Sequence, residues 1–139
     1  MIKERYCSYK LALLFKEKGF DWNCITYYID SKPNDIQYSM LFENNTTWEK
    51  RCCSAPTHQM ACDWIYETYG LWVQVFLYVT LSKNKKEDDF TTKKIRWTFD
   101  IVTKFPEKGP YQYYEPVREE FTSQYEATEA GLKYILNKI

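Results

Sequence analysis

Two different spacings of apolar residues alternate along this chain, and each change of spacing marks a predicted element. Apolar side chains recur three and four residues apart in three segments, residues 8–20, 54–70 and 122–139, which predicts helices with one buried face. Short apolar or alternating runs predict four strands, at residues 24–30, 36–42, 71–80 and 95–102. The remaining stretches are polar or rich in proline and are expected to connect these elements.

The predicted helices begin and end at residues with capping chemistry. Ser8 can cap the first helix, and Gly19 suits its left-handed end. Gly70 stops the second helix directly before the strand at 71–80. The other candidate caps are Ser54 or Thr57 for the second helix and Thr122 or Ser123 for the third, with Glu126 placed as in a capping box.

The element order is αββαββα, which favours an α+β fold. The turn-forming stretch "SKPND" predicts a hairpin between the first two strands. Connections of this kind favour a mainly antiparallel four-stranded sheet with three helices packed on one face. No linker or repeat divides the chain, so residues 1–139 are predicted to form a single domain. Residues 43–53, 82–94 and 103–120 are predicted to be loops or irregular segments.

The two later strands predict one inward and one outward sheet face. Ile95, Trp97, Phe99 and Ile101 are expected to point inward, and one face of 71–80 carries only Leu and Val, at positions 71, 73, 75, 77 and 79. The other face of 71–80 carries Trp72, Phe76 and Tyr78, which we interpret as the candidate binding residues. The alternative is that 103–120, with its three tyrosines, folds over these rings.

Composition and charge exclude several classes of protein. Lysine plus arginine equals aspartate plus glutamate, 19 each, and the charges are spread evenly, so no nucleic-acid partner is expected. The longest apolar run, "LWVQVFLYV", is too short to cross a bilayer, so no membrane association is expected. Five cysteines and an N-terminus without an apolar signal region predict a cytoplasmic protein with reduced thiols.

The segment "RCCSAPTHQMACDW" is the main candidate for metal or thiol chemistry. It brings Cys52, Cys53, His58 and Cys62 within one short stretch, and His58 is the only histidine. Zinc accepts such ligands, but the segment lacks the usual CxxC spacing, so we expect no metal and interpret it as the start of a helix. A Cys–His nucleophile would have to use the same histidine, and no nucleophile motif accompanies it.

No other motif points to catalysis or to a cofactor. The glycine-rich loops that hold nucleotide phosphates are absent from the sequence. No catalytic residue and no cofactor are therefore predicted. The alternative to a binding protein is a small enzyme or small-molecule binder with a polar pocket near His58, Arg96 and Asp100.

Three stretches, "LLFKEKGFDWNC", "SAPTHQMACDWIYETYG" and "SQYEATEAGLKYILNKI", carry a resemblance to a known group. They resemble small uncharacterised proteins of phages and prophages of gut Bacteroidetes, over most of residues 8–139. The shared motifs are helix starts and ends, so the resemblance implies no catalytic residue. Together with the aromatic face, it implies a non-enzymatic binding or regulatory protein of a phage or mobile element, acting on a protein partner and forming a homodimer.

Overall fold

A computed structural model describes residues 4–83, 90–104 and 119–139, with only the backbone described at 80–83 and 90–94. Most of the predicted irregular segment 103–120, with its tyrosines, therefore lies outside the described residues, as does the centre of the predicted loop 82–94. Within the described part the chain forms three helices and five strands. In chain order these are α1 Tyr9–Glu17, β1 Cys24–Ile29, β2 Lys32–Glu43, β3 Cys52–Ser54, α2 His58–Tyr69, β4 Leu71–Lys83, β5 Phe90–Thr103 and α3 Gln124–Lys138.

The α+β class is confirmed, but the single four-stranded sheet is wrong. The described strands form two antiparallel sheets, one with the order β2-β1-β3 and one that pairs β4 with β5. The third strand of the first sheet is β3, which covers the last two residues of the predicted loop 43–53 and the first residue of the predicted helix 54–70. It has three residues and no alternation, because all three side chains are buried. A pattern search for half-buried strands therefore misses it.

The predicted capping residues perform their roles. The Ser8 side chain accepts a hydrogen bond from the Leu11 N–H, and Thr57, not Ser54, caps α2 in the same way. Gly70 ends α2 in the left-handed conformation, with φ of 71°. At α3, Ser123 is the cap and accepts from the Glu126 N–H, while the Glu126 carboxylate accepts from the backbone N–H of Thr122 rather than of Ser123. The turn chemistry of the sequence thus fixes where each helix starts.

The main apolar core lies where the three helices meet the β4–β5 sheet. Its fully buried members include Phe15 from α1, Ile65 from α2, Phe99 from β5 and Leu132 from α3. A smaller cluster of Ala12, Tyr28, Cys53 and Ala55 joins α1 to the three-stranded sheet. Cys24 of β1 also belongs to the main core, so both sheets pack against the helices and are held together through them.

Gly131 allows α3 to pack closely on the β4–β5 sheet. A Cβ atom at this position would lie 2.5 Å from Val73 Cγ1 and 3.2 Å from the Phe99 ring. Val73, Phe99 and Ile101, all predicted to share a face, are buried beneath this helix. The absence of a side chain on Gly131 therefore determines how near the helix approaches.

The far half of the β4–β5 pair is not covered in this way. We call residues 77–83 and 90–96 the distal ribbon, and residues 71–76 and 97–103 the proximal ribbon. Ile95 was expected to point inward, and it does lie on the same face as Phe99 and Ile101, but its side chain is not buried there and is 56% exposed. Thirteen strand residues span roughly 40 Å, whereas the fifteen residues of α3 span roughly 22 Å, so the helix is too short to cover the whole ribbon.

Candidate functional site

Three polar side chains from distant parts of the chain meet beside the main core. His58 lies in the first turn of α2, and its Nε2 is 2.9 Å from Oε2 of Glu129 on α3. Cys7, just before α1, completes the group, and the three donor atoms all lie within 4.8 Å of one another. Among the described residues this is the one place where three side chains of metal-ligating type converge. We call these residues the Cys7–His58–Glu129 cluster.

Backbone hydrogen bonds hold the cluster in position. The Cys7 N–H donates to the Pro56 carbonyl at 2.9 Å, and the Tyr28 hydroxyl donates to the Cys7 carbonyl at 2.7 Å. The Ser8 N–H donates to Oε1 of Glu129 at 3.1 Å, which leaves Oε2 to face His58. Cys7 and Glu129 are therefore each held by a group outside the cluster, as in preorganised sites.

An aromatic ring covers one side of the histidine. The Tyr125 ring lies 4.7 Å from the His58 ring, tilted by 30°, and its hydroxyl donates to the Tyr6 carbonyl at 3.1 Å. Burial, followed by the charge of Glu129, raises the pKa of Tyr125 to about 12. This tyrosine is therefore neutral at physiological pH and acts as a hydrogen-bond donor beside the cluster.

The cluster has the residue types of a Cys–His–acid triad, but its cysteine is not a reactive nucleophile. Cys7 is 0% exposed, and burial, with the nearby Glu129 carboxylate, raises its pKa well above the ordinary value. A nucleophilic cysteine needs the thiolate form and access to the substrate. Cys7 is therefore a protonated, buried thiol at neutral pH.

An open cavity of about 1100 Å³ lies next to the cluster, and His58 and Tyr125 form part of its wall. Tyr28 and Trp72 also line it. Arg96 and Asp100, which were predicted to share a polar pocket with His58, do not line this cavity. In the register of the ribbon, Arg96 pairs with Tyr78 and Asp100 with Gln74 of β4.

The four ligand candidates of the sequence do not come together. Cys52 and Cys53 lie on β3, and Cys53 packs in the smaller apolar cluster. Cys62 is buried in the main core. Only His58 belongs to the group that the fold assembles. Cys7 and Glu129 were missed because no local spacing connects them with residue 58.

The predicted binding residues of β4 lie in different environments. Trp72 is half-buried, packs against the main core and makes an edge contact with Tyr66, with ring centres 5.9 Å apart. Phe76 is half-buried, and Tyr78 is 38% exposed. Of these three rings, the one on the distal ribbon, Tyr78, is therefore the most exposed.

The opposite face of the distal ribbon is more exposed still. Leu77 is 53% exposed and Val79 48%, and Ile95, which is paired with Val79, shares their face. Leu77 and Val79 lie on the face of β4 predicted to be opposite Trp72, Phe76 and Tyr78, and Ile95 was predicted to point inward. The described end of the ribbon therefore presents apolar side chains on both of its faces.

A second apolar projection lies on β2 and was not predicted. Between the pairs Cys24↔Glu43 and Thr26↔Tyr38, β2 has three residues more than β1, so its chain bulges outward. Met40 at the bulge is 100% exposed, and Leu41 and Phe42 are each 71% exposed. The signal in the sequence is the run "MLF", which interrupts the alternation expected of a half-buried strand.

Comparisons with protein-family models, with curated proteins and with solved structures find no match to this chain. None of the described helices has the length and apolar content needed to span a bilayer. The function must therefore be argued from the geometry of these sites.

Proposed function

We propose that this chain is a non-enzymatic binding or regulatory protein of a phage or mobile element, acting on a protein partner in the cytoplasm. The contact surface in this proposal is the distal ribbon, led by Leu77, Tyr78 and Val79, with Phe76 and Trp72 continuing it towards the core. Self-association through the same ribbon gives a homodimer when the partner is absent. The phage assignment comes from the resemblance of the helix motifs.

The observation that carries this proposal is the exposure of apolar side chains on both faces of the distal ribbon. Leu77, Tyr78, Val79 and Ile95 are between 38% and 56% exposed. Covering such surface contributes roughly 25 cal/mol per Å² of apolar area. Clustered exposure of this kind is typical of interaction sites.

The two-stranded pairing of β4 with β5 also supports the proposal that a partner binds the ribbon. Within the described residues the partner strand of β4 is β5, and the two form a two-stranded sheet. A two-stranded ribbon without a packed face is marginally stable in water. A partner that packs on the ribbon, or adds a strand to it, supplies the missing face.

Trp72 has a different role from Tyr78 in this proposal. Its ring is held by Tyr66 and by the core, so its replacement is expected to loosen the base of the ribbon as well as the contact. Tyr78 and Leu77 are the direct contacts, because they protrude beyond the region covered by the helices.

The test compares an exposed leucine on the ribbon with one elsewhere. Leu77→Asp should abolish self-association in sedimentation measurements and capture of the partner from a host lysate, a loss on the order of 2 kcal/mol or more. Leu13→Asp is the matched control, since Leu13 is 41% exposed but lies on α1. Equal behaviour of the two variants, or a wild-type protein that stays monomeric at high concentration and captures nothing, would refute the proposal.

The cavity beside His58 favours a second candidate, a small-molecule binder or enzyme. Its wall combines aromatic surface from Tyr28, Tyr125 and Trp72 with one imidazole, a common composition for ligand sites. Turnover in a hydrolase or transferase screen that disappears in His58→Ala and persists in Leu77→Asp would establish this candidate instead.

A further inference from the structure

The Cys7–His58–Glu129 cluster offers one sulfur, one imidazole nitrogen and one carboxylate oxygen from three separate parts of the fold. We propose that these side chains bind a divalent cation of the zinc class. Thiolate, imidazole and carboxylate are the ligand types that zinc accepts in proteins. This proposal departs from the sequence-based expectation that the chain binds no metal, and it involves a different set of residues from the cysteines at 52, 53 and 62.

The spacing of the donor atoms is close to that of a tetrahedral site. Bonds of 2.0–2.3 Å at tetrahedral angles place neighbouring donor atoms about 3.4–3.6 Å apart. The His58 Nε2 and Glu129 Oε2 atoms, now 2.9 Å apart, would separate slightly to admit the ion. The Cys7 sulfur, within 4.8 Å of both, would move inward by at most about 1.3 Å. Changes of this size are within the reach of side-chain rotation.

The surroundings hold the ligands ready for this geometry. Both backbone polar groups of Cys7 are hydrogen-bonded, to Pro56 and to Tyr28, so the sulfur projects from a fixed position. The Ser8 N–H occupies Oε1 of Glu129 and directs Oε2 towards the site. Such outer contacts orient the ligands of metal sites and increase their affinity.

The charges of the site also balance when a cation binds. The Cys7 thiol releases its proton to solvent and binds as a thiolate, His58 binds as a neutral imidazole and Glu129 binds as a carboxylate. Two negative ligands then neutralise the two positive charges of the ion, which removes the cost of a buried net charge. A water molecule from the cavity that His58 lines completes the tetrahedron.

Cobalt(II) is the probe for the first experiment, because a thiolate ligand gives it a sulfur-to-metal charge-transfer absorption. Titration of the reduced, chelator-treated full chain should saturate at one cobalt per chain with this absorption, and zinc should displace it. Cys7→Ala should lose the absorption and weaken binding at least tenfold. Cys53→Ala, which removes a thiol that is also buried but lies in the smaller apolar cluster, should retain both. Absence of stoichiometric binding, or an absorption that persists in Cys7→Ala, would overturn the proposal.

X-ray absorption of the zinc-loaded wild-type protein gives a test that needs no variant. One sulfur at about 2.3 Å and two or three nitrogen or oxygen atoms at about 2.0–2.2 Å are expected around the ion. A first shell with no sulfur, or with two or more, would exclude this ligand set even if Cys7→Ala did not fold.

Discussion

The proximal and distal halves of the β4–β5 ribbon share the same alternation of side chains but differ in environment. In the proximal half Phe99 and Ile101 are 2% and 3% exposed, whereas Ile95 on the same face of the distal half is 56% exposed. The difference arises from α3, which packs closely at Gly131 and does not extend over the distal pairs. Alternation therefore defines which side chains share a face, and the length and placement of the covering helix decide how much of that face is buried.

The largest expected effect is the loss of the central ring of the proximal half. Phe99→Ala should reduce the free energy of unfolding by about 3–5 kcal/mol, because it opens a cavity between the sheet and α3. Urea denaturation followed by tryptophan fluorescence measures this change. A loss below 1 kcal/mol would show that the proximal half is not the packed core.

The next prediction concerns the contact distance between α3 and the proximal half. Gly131→Ala should improve helix propensity by up to about 1 kcal/mol, but its methyl group would lie 2.5 Å from the stiff, buried Val73 side chain. We expect the clash to dominate, with a net destabilisation of about 1–3 kcal/mol.

The control is Lys133→Ala, at an exposed position of the same helix, which should change stability little. A more stable Gly131→Ala protein would show that α3 sits farther from the sheet.

The third prediction concerns the pH dependence of stability that the buried thiol of Cys62 produces. Burial, with a smaller effect of Asp63, raises the pKa of the Cys62 thiol from 9.0 to about 12. The unfolded thiol loses its proton first as pH rises, which stabilises the unfolded state. The free energy of unfolding is therefore unaffected by this thiol below pH 9. Between pH 9 and 12 the thiol lowers it, by up to about 1.4 kcal/mol per pH unit.

Denaturation at pH 8 and at pH 10 measures this dependence. Cys62→Ala should show a shallower loss of stability than the wild type, although other buried thiols still contribute. An identical slope in both proteins would mean that Cys62 ionises as freely in the folded state as in the unfolded one.

The smallest expected effect on stability is in the distal half. Ile95→Ser should change the free energy of unfolding by only about 0.5 kcal/mol, because an exposed side chain loses little burial. Its self-association should nevertheless weaken in sedimentation measurements. A stability loss comparable to that of Phe99→Ala would place the distal half in the core and remove the basis of the proposed contact surface.

Local chemistry made much of this fold predictable. Ser8, Gly70 and Ser123 act within one turn of the helices that they limit, so their roles follow from short spacings. The sheet arrangement was less predictable, because β3 joins β1 through backbone pairing and has no amphipathic pattern. The burial of the distal ribbon also could not be predicted, since it depends on where a helix from another part of the chain ends.

The candidate cation site was even less predictable from the sequence, because its residues come from distant parts of the chain. His58 was identified as a candidate because it is the only histidine, yet its partner Glu129 is 71 residues away in sequence. Glu129 shares its helix with one other acidic residue, Glu126, and nothing in the sequence pattern distinguishes it as a partner of His58. Only the packing of α3 beside α1 and α2 brings these side chains together.

The position of α3 in the chain also affects how the protein is made. Leu132, Ile135 and Leu136 of this helix are fully buried in the same core as Phe15 and Ile65. During synthesis, the apolar surfaces of the earlier segments that pack against α3 remain exposed until residues 124–138 have left the ribosome. The Ser8–Glu129 hydrogen bond joins residues 121 positions apart, so it forms only after α3 has been synthesised. The core and the candidate cation site are therefore completed only when α3 packs against the earlier elements, and deletion of α3 should leave a chain with exposed apolar surface that depends on chaperones.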